Sequence, residues 1–199
     1  GGAQSANYTL AEVVLAADIT AKTLSVTGIT VEDKVYDGTT DATLNLEDAA
    51  LEGVVDGEDV VLVTTEAAAA FDDADAGEGK PLTVTGLSLG GAQSANYTLA
   101  EVVLAADITA KTLSVTGITV EDKVYDGTTD ATLNLEDAAL EGVVDGEDVV
   151  LVTTEAAAAF ADPEVGEGKP VTVTGLSLSG AQSANYMLAD LVLTADITA

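Results

Sequence analysis

Thr23-Leu24-Ser25-Val26-Thr27 alternates polar and apolar side chains. A period of two belongs to a half-buried β-strand, because successive side chains on an extended backbone point to opposite faces. Ala42-Thr43-Leu44-Asn45-Leu46 and Leu82-Thr83-Val84-Thr85 alternate in the same way. Val60–Thr65 is apolar and β-branched, and Leu99–Thr109, rich in Val, Leu and Ile, reads as one longer strand. Turn signals separate these runs at Asp37-Gly38, Asp56-Gly57, Gly77-Glu78-Gly79 and Gly90-Gly91. Short strands with turns about every 8–12 residues predict an all-β protein built of immunoglobulin-like β-sandwiches. Two segments dissent. Glu47–Leu51 could make a helical turn; Glu66–Phe71 has high helix propensity but is shorter than an isolated helix needs, and could equally be a strand whose small side chains lie under a neighbour. A real helix at either place would make the domain α+β and grasp-like, which is the alternative.

The whole pattern occurs twice. Gly1–Phe71 is reproduced letter for letter as Gly90–Phe160, so the shift from residue 1 to residue 90 is 89 positions. Repeats of 20–50 residues mark solenoids whose units need neighbours. A unit of 89 residues is long enough for its own small core. Residues 22–110 and 111–199 are read as two full domains, which differ at ten positions, four of them within 72–76. Residues 1–21 match the C-terminal tail of a preceding repeat, so the chain reads as part of a longer array. The junction Ala105–Val115 (AADITAKTLSV) contains no Gly or Pro. Nothing there resembles a flexible linker, and this predicts an extended, rather stiff rod.

Charge excludes several partners. Against 35 acidic residues stand 6 basic ones, giving −29, shared almost evenly as −14 for residues 22–110 and −13 for 111–199. Such a field repels nucleic acid and anionic membranes and keeps neighbouring chains apart. Disorder is the usual outcome for highly charged chains. Here 47% hydrophobic residues supply enough apolar surface to fold. Cysteine is absent, so neither disulfides nor thiolate metal sites are available. No apolar run approaches the ~18 residues of a membrane-spanning helix, so no membrane insertion is expected.

The ordered set Lys34-Val35-Tyr36-Asp37-Gly38-Thr39-Thr40-Asp41-Ala42-Thr43, Leu51-Glu52-Gly53-Val54, Asp56-Gly57-Glu58-Asp59-Val60, Ala70-Phe71, Gly77-Glu78-Gly79-Lys80, Val84-Thr85-Gly86-Leu87-Ser88-Leu89, Ala95-Asn96-Tyr97-Thr98-Leu99 and Ala106-Asp107-Ile108-Thr109 resembles the YDG repeat. Its signature recurs at Tyr125-Asp126-Gly127. That family forms tandem domains in very large bacterial surface and secreted proteins, including filamentous-haemagglutinin-like adhesins. The resemblance implies a structural stalk or spacer, extracellular at the bacterial surface or secreted, with neighbouring repeats of the same chain as its partners. The host or surface ligand would belong to a distal region of the parent protein. The family implies no catalytic residue and no cofactor.

The residues themselves agree about catalysis. Histidine and cysteine are absent, and Ser25, Ser88 and Ser94 have no recognisable base partner. Glycosidases use carboxylate pairs. Among 35 acids some pairs must lie close by chance, and no enzyme is expected. Tyr36-Asp37-Gly38 and its twin Tyr125-Asp126-Gly127 are the structural motif: Asp-Gly suits a tight turn, and the tyrosine is expected as a core anchor. Each copy has only three aromatics, the others being Phe71 and Tyr97, then Phe160 and Tyr186.

Calcium takes 6–8 oxygen ligands. Asp56, Glu58 and Asp59, with Asp145, Glu147 and Asp148 in the second copy, are the candidate ligands, and Asp72, Asp73 and Asp75 form a further acidic loop. Neither cluster follows an EF-hand or nonapeptide pattern. Lys22, Lys34 and Lys80 with Asn45 or Asn96 supply the ingredients of an internal isopeptide bond, although exposed lysine is the default. The alternative function is a low-affinity glycan- or calcium-binding module acting through multivalency.

Overall fold

The computed structural model describes residue 3 and residues 5–199, so positions 1, 2 and 4 of the expected tail lie outside the described residues. The chain is all-β, with two near-closed, barrel-like sheet units in tandem. The first unit has twelve strands: β1 (Lys22–Thr27), β2 (Thr30–Val31), β3 (Lys34–Val35), β4 (Asp41–Ala42), β5 (Leu44–Asn45), β6 (Ala50–Glu52), β7 (Val61–Val63), β8 (Ala68–Phe71), β9 (Gly77–Thr85), β10 (Ser88–Gly90), β11 (Tyr97–Leu99) and β12 (Val102–Thr109). A five-stranded sheet runs β3-β12-β9-β8-β4, and a three-stranded sheet runs β11-β1-β6. The ladders β10-β7 and β2-β5 complete the wall. The second unit repeats every one of these pairings 89 residues further on.

Alternation explains what each strand buries. On β1, Leu24 is fully buried while Thr23, Ser25 and Thr27 face solvent. On β9, Leu82 and Val84 are buried, and Leu82 shares a cluster with Ala106 and Ile108 of β12 and Phe71 of β8. The helix alternative fails at both places. Ala68–Phe71 is a strand paired with β4 and β9, because its small side chains let the two neighbours close over it. Glu47 and Asp48 form a turn, and Ala50 and Leu51 already belong to β6.

Two expected single strands are each divided between sheets. Leu99–Thr109 breaks at Ala100-Glu101, so that Tyr97–Leu99 pairs with β1 and Val102–Thr109 pairs with β9 and β3. The Ala42–Leu46 run breaks at Thr43, sending Asp41–Ala42 to β8 and Leu44–Asn45 to β2. Period-two alternation is the same on both sides of such a break, so it cannot mark where a chain changes sheet.

The units meet with almost no connector. Strand β12 ends at Thr109, Ala110 follows, and the next strand begins at Lys111 (Lys111–Thr116). One apolar cluster runs through this point, joining Phe71, Leu82, Ile108 and Tyr36 of the first unit to Leu113 and Tyr186 of the second. A separate cluster of Phe160, Val171, Ala195 and Ile197 fills the far half of the second unit.

Candidate functional site

The joint is placed by two parallel pairings. Strand β3 runs parallel to the end of β12, and the N–H of Tyr36 donates to the carbonyl of Thr109 at 2.8 Å. Lys111, just beyond the junction, is paired in parallel with Tyr186. The chain crosses from unit to unit at residues 109–111, so a tyrosine is held on each side of the crossing. The rings of Tyr36 and Tyr186 meet edge to face, centroids 5.3 Å apart, a favoured arrangement for aromatic quadrupoles.

One carboxylate serves both hydroxyls. Tyr36 donates to Glu147 Oε1 and Tyr186 donates to Glu147 Oε2, each at 2.5 Å. The Tyr186 oxygen also accepts from the N–H of Val144 at 3.0 Å. Hydrogen bonds to an ionised acceptor are short and strong. Burial first, and then the bond to Glu147, pushes the Tyr36 hydroxyl up to about 12. The same two causes raise Tyr186 above its ordinary value. A second contact lies beside them. Asn185 Nδ2 donates to Asp75 Oδ1 at 3.0 Å, and Asn185 Oδ1 accepts from the N–H of Ala76 at 2.8 Å.

The identical twin residues measure what the neighbour contributes. Tyr36 is 4% exposed; Tyr125, with no unit packed against it here, is 51% exposed. Asn185 is buried while Asn96 is exposed. Gly38 and Gly127 share a φ of +79°, yet a Cβ on Gly38 would stand 3.2 Å from Val144 Cγ1, whereas on Gly127 it would meet nothing within 4 Å. Tyr36 lies in the buried core cluster, as the core-anchor expectation has it, but it is covered there by the next unit, and its twin Tyr125 is exposed.

Asp37 and Asp126 bond back to the residues that follow them. Asp37 Oδ1 accepts from the N–H and hydroxyl of Thr39 at 2.9 and 2.8 Å and pairs with Lys34 at 2.7 Å. The Lys34 ammonium beside it, then the Thr39 bonds, hold its carboxyl down to about 2 despite some desolvation. Asp126 is lowered to about 2 by Lys123 and Thr128. Lys80 closes the 72–76 loop, donating to Asp73 and, at 2.5 Å, to the carbonyl of Asp75.

The acidic candidates are spread among separate tasks. Glu58 accepts from Tyr97 at 2.5 Å, as Glu147 does from its two tyrosines. Asp59 Oδ2 accepts from the N–H of Ala92, and Asp148 Oδ2 from that of Ala181. Among the described residues, no three acidic side chains gather into a set able to hold a metal ion. The isopeptide ingredients are also apart: Lys34 and Lys80 hold their own loops, and Asn45 caps a turn by accepting from the N–H of Glu47. Glu147, Asn185 and Asp75 were not read from the sequence as joint residues. The available signal was Asn96-Tyr97 recurring as Asn185-Tyr186 beside a unit boundary.

Fold and joint together define a tandem all-β repeat protein whose motif residues connect one unit to the next. The YDG domain family model matches residues 20–104 and again 109–193, and the chain belongs to that family. No curated protein and no solved structure matches the chain.

Proposed function

We propose that the chain is a structural spacer: part of the stalk of a large bacterial surface or secreted adhesin, an extended acidic rod that projects a distal binding region. No catalytic step belongs to this role. The observation that carries the reading is the burial of Tyr36 by the following unit, with Glu147 bonded to tyrosines from both units. A spacer must resist bending where its units meet. A one-residue connector, a shared apolar cluster and paired charge-assisted hydrogen bonds all oppose it. The distributed charge of −29 favours extension and keeps parallel rods apart.

Small-angle scattering on the intact chain tests this reading. The expected result is an elongated particle of defined length, with a Tyr36→Ala variant showing a broader spread of inter-unit distances. A compact particle with the units folded back on each other, or a wild type as loose as the variant, would overturn the rod.

A further inference from the structure

The loop that helps join the two units is also where their sequences differ most. Ten positions separate residues 22–110 from 111–199, and four of them fall within 72–76. Asp72, Ala74, Asp75 and Ala76 of the first unit correspond to Ala161, Pro163, Glu164 and Val165 of the second. The frame of the loop is the same in both. Asp73 Oδ1 accepts from the N–H of Asp75 at 2.9 Å and pairs with Lys80. Asp162 Oδ1 accepts from the N–H of Glu164 at 3.0 Å and pairs with Lys169. What changes is the set of side chains that the frame presents. In the first unit that set lies at the joint: Ala74 and Ala76 pack against the shared apolar cluster, and Asp75 Oδ1 accepts from Asn185 Nδ2 at 3.0 Å.

We propose that residues 72–76 are the specificity element of the joint, the surface by which one unit selects the face of the unit that follows it. The sequence Asp-Asp-Ala-Asp-Ala fits a unit presenting Asn185, and Ala-Asp-Pro-Glu-Val in the same place does not. Asn185 reads the loop. It is 4% exposed, so its amide is cut off from water and must find partners within the protein. Its Oδ1 accepts from the N–H of Ala76 at 2.8 Å, a main-chain donor that any residue but proline supplies. That bond sets position without regard to sequence. The bond from its Nδ2 to the Asp75 carboxylate depends on the side chain at 75, and this is the bond that discriminates.

Two mismatches follow from placing the second loop at this joint. Glutamate carries its carboxylate one methylene further out than aspartate. The oxygen that meets Asn185 Nδ2 would overshoot an amide already held from its other side by Ala76. A buried donor left without its partner costs more than the bond had contributed. Valine at 76 and proline at 74 each add carbon where alanine already packs against the cluster, and a close-packed interior accommodates added groups poorly. Neither change disturbs the loop itself, because the frame of Asp162 and Lys169 already carries both. The fit of the joint is thereby set by one loop, without altering a strand. This deepens the spacer reading, and rests on it for the meaning of a tight joint.

The test places one spin label on each unit of the full-length chain and measures the inter-unit distance. It compares the wild type, the loop exchange (Asp72→Ala, Ala74→Pro, Asp75→Glu, Ala76→Val), Asn185→Ala, and the exchange combined with Asn185→Ala. One narrow distance is expected in the wild type. The exchange and Asn185→Ala should each replace it with a broad distribution, while circular dichroism stays that of the wild type. The combined protein should be no broader than the exchange alone, because residues that act through one contact do not add. An exchange or an Asn185→Ala variant that keeps the narrow distance overturns the proposal. So does a combined protein whose broadening is the sum of the two, since the loop would then act without Asn185. If the full exchange alters the circular dichroism, Asp75→Glu with Ala76→Val takes its place under the same outcomes. A wild type that is itself broad overturns the spacer reading and this proposal together. A narrow wild type with equally narrow variants overturns the role of the loop alone.

Discussion

Tyr36 and Tyr125 occupy the same place in two nearly identical units, and only one has a neighbour. The difference between them therefore isolates the joint from the fold. Truncating a buried aromatic to alanine costs about 3 kcal/mol or more. Truncating an exposed one typically costs less than about 0.5 kcal/mol. Tyr36→Ala is thus expected to destabilise the chain by about 3 kcal/mol, while Tyr125→Ala leaves it nearly unchanged. Urea unfolding of both variants checks this, and equal costs would mean that each tyrosine serves its own unit. Glu147 shows the same economy of chemistry: its two oxygens each take a different unit's tyrosine, so the loss of either ring leaves the other hydroxyl bonded. Asp75 and Ala76 sharpen the meaning of the variable 72–76 loop. Both contact Asn185, and both differ in the second unit, as Glu164 and Val165. Part of the variation between copies therefore falls on the joint surface.

At the scale of elements, partly buried lysines set the turns. Lys34 gathers Asp37, Thr39 and the carbonyl of Asp41, which ties the loop after β3 to the start of β4. The Asp37 carboxyl lies at about 2 in the folded chain, against an ordinary 3.8. A depressed acid stabilises above its ordinary value and loses that contribution as pH falls through the depressed one. The turn is therefore intact above about pH 4 and weakens toward pH 2. In an Asp37→Asn, Asp126→Asn variant, the fall of the thermal midpoint over that range should be shallower than in the wild type, as followed by circular dichroism. Identical acid limbs would show that the turn carries no pH-dependent stability. Legibility from sequence follows the same physics. Alternation located β1 and the centre of β9, because side-chain direction is local. The change of sheet at Ala100-Glu101 was not legible, and Glu66–Phe71 read equally as helix or strand, a choice that packing between two neighbours makes against alanine's helical preference. The joint could not be read from Tyr36 at all: Tyr125 has the same flanking letters and a different environment.

For the whole molecule, stiffness depends on whether two acidic units stay docked, and the titration of Tyr36 supplies a way to release them. Its hydroxyl sits at about 12 in the joint against an ordinary 10.0, chiefly through burial and then through the bond to Glu147. A group whose value is raised on docking favours the docked state fully below the undocked value. That contribution is lost as pH rises through the raised one. Docking should therefore be unaffected by Tyr36 up to about pH 10 and weaken from there toward pH 12, where the ionised phenolate would face the Glu147 carboxylate in a buried site. Tyr186 is raised by the same causes and adds in the same direction. High pH acts on more than one group, so the wild type alone does not identify the responsible one. Tyr36→Phe does: it keeps the ring against Tyr186 and removes the ionisable hydroxyl. Inter-unit distances measured between spin labels, one on each unit, are expected to broaden between pH 10 and 12 in the wild type. In Tyr36→Phe the broadening should begin at higher pH. Coincident curves would show that the joint is held without a contribution from the Tyr36 proton, and that the apolar cluster from Phe71 to Tyr186 sets the stiffness by itself.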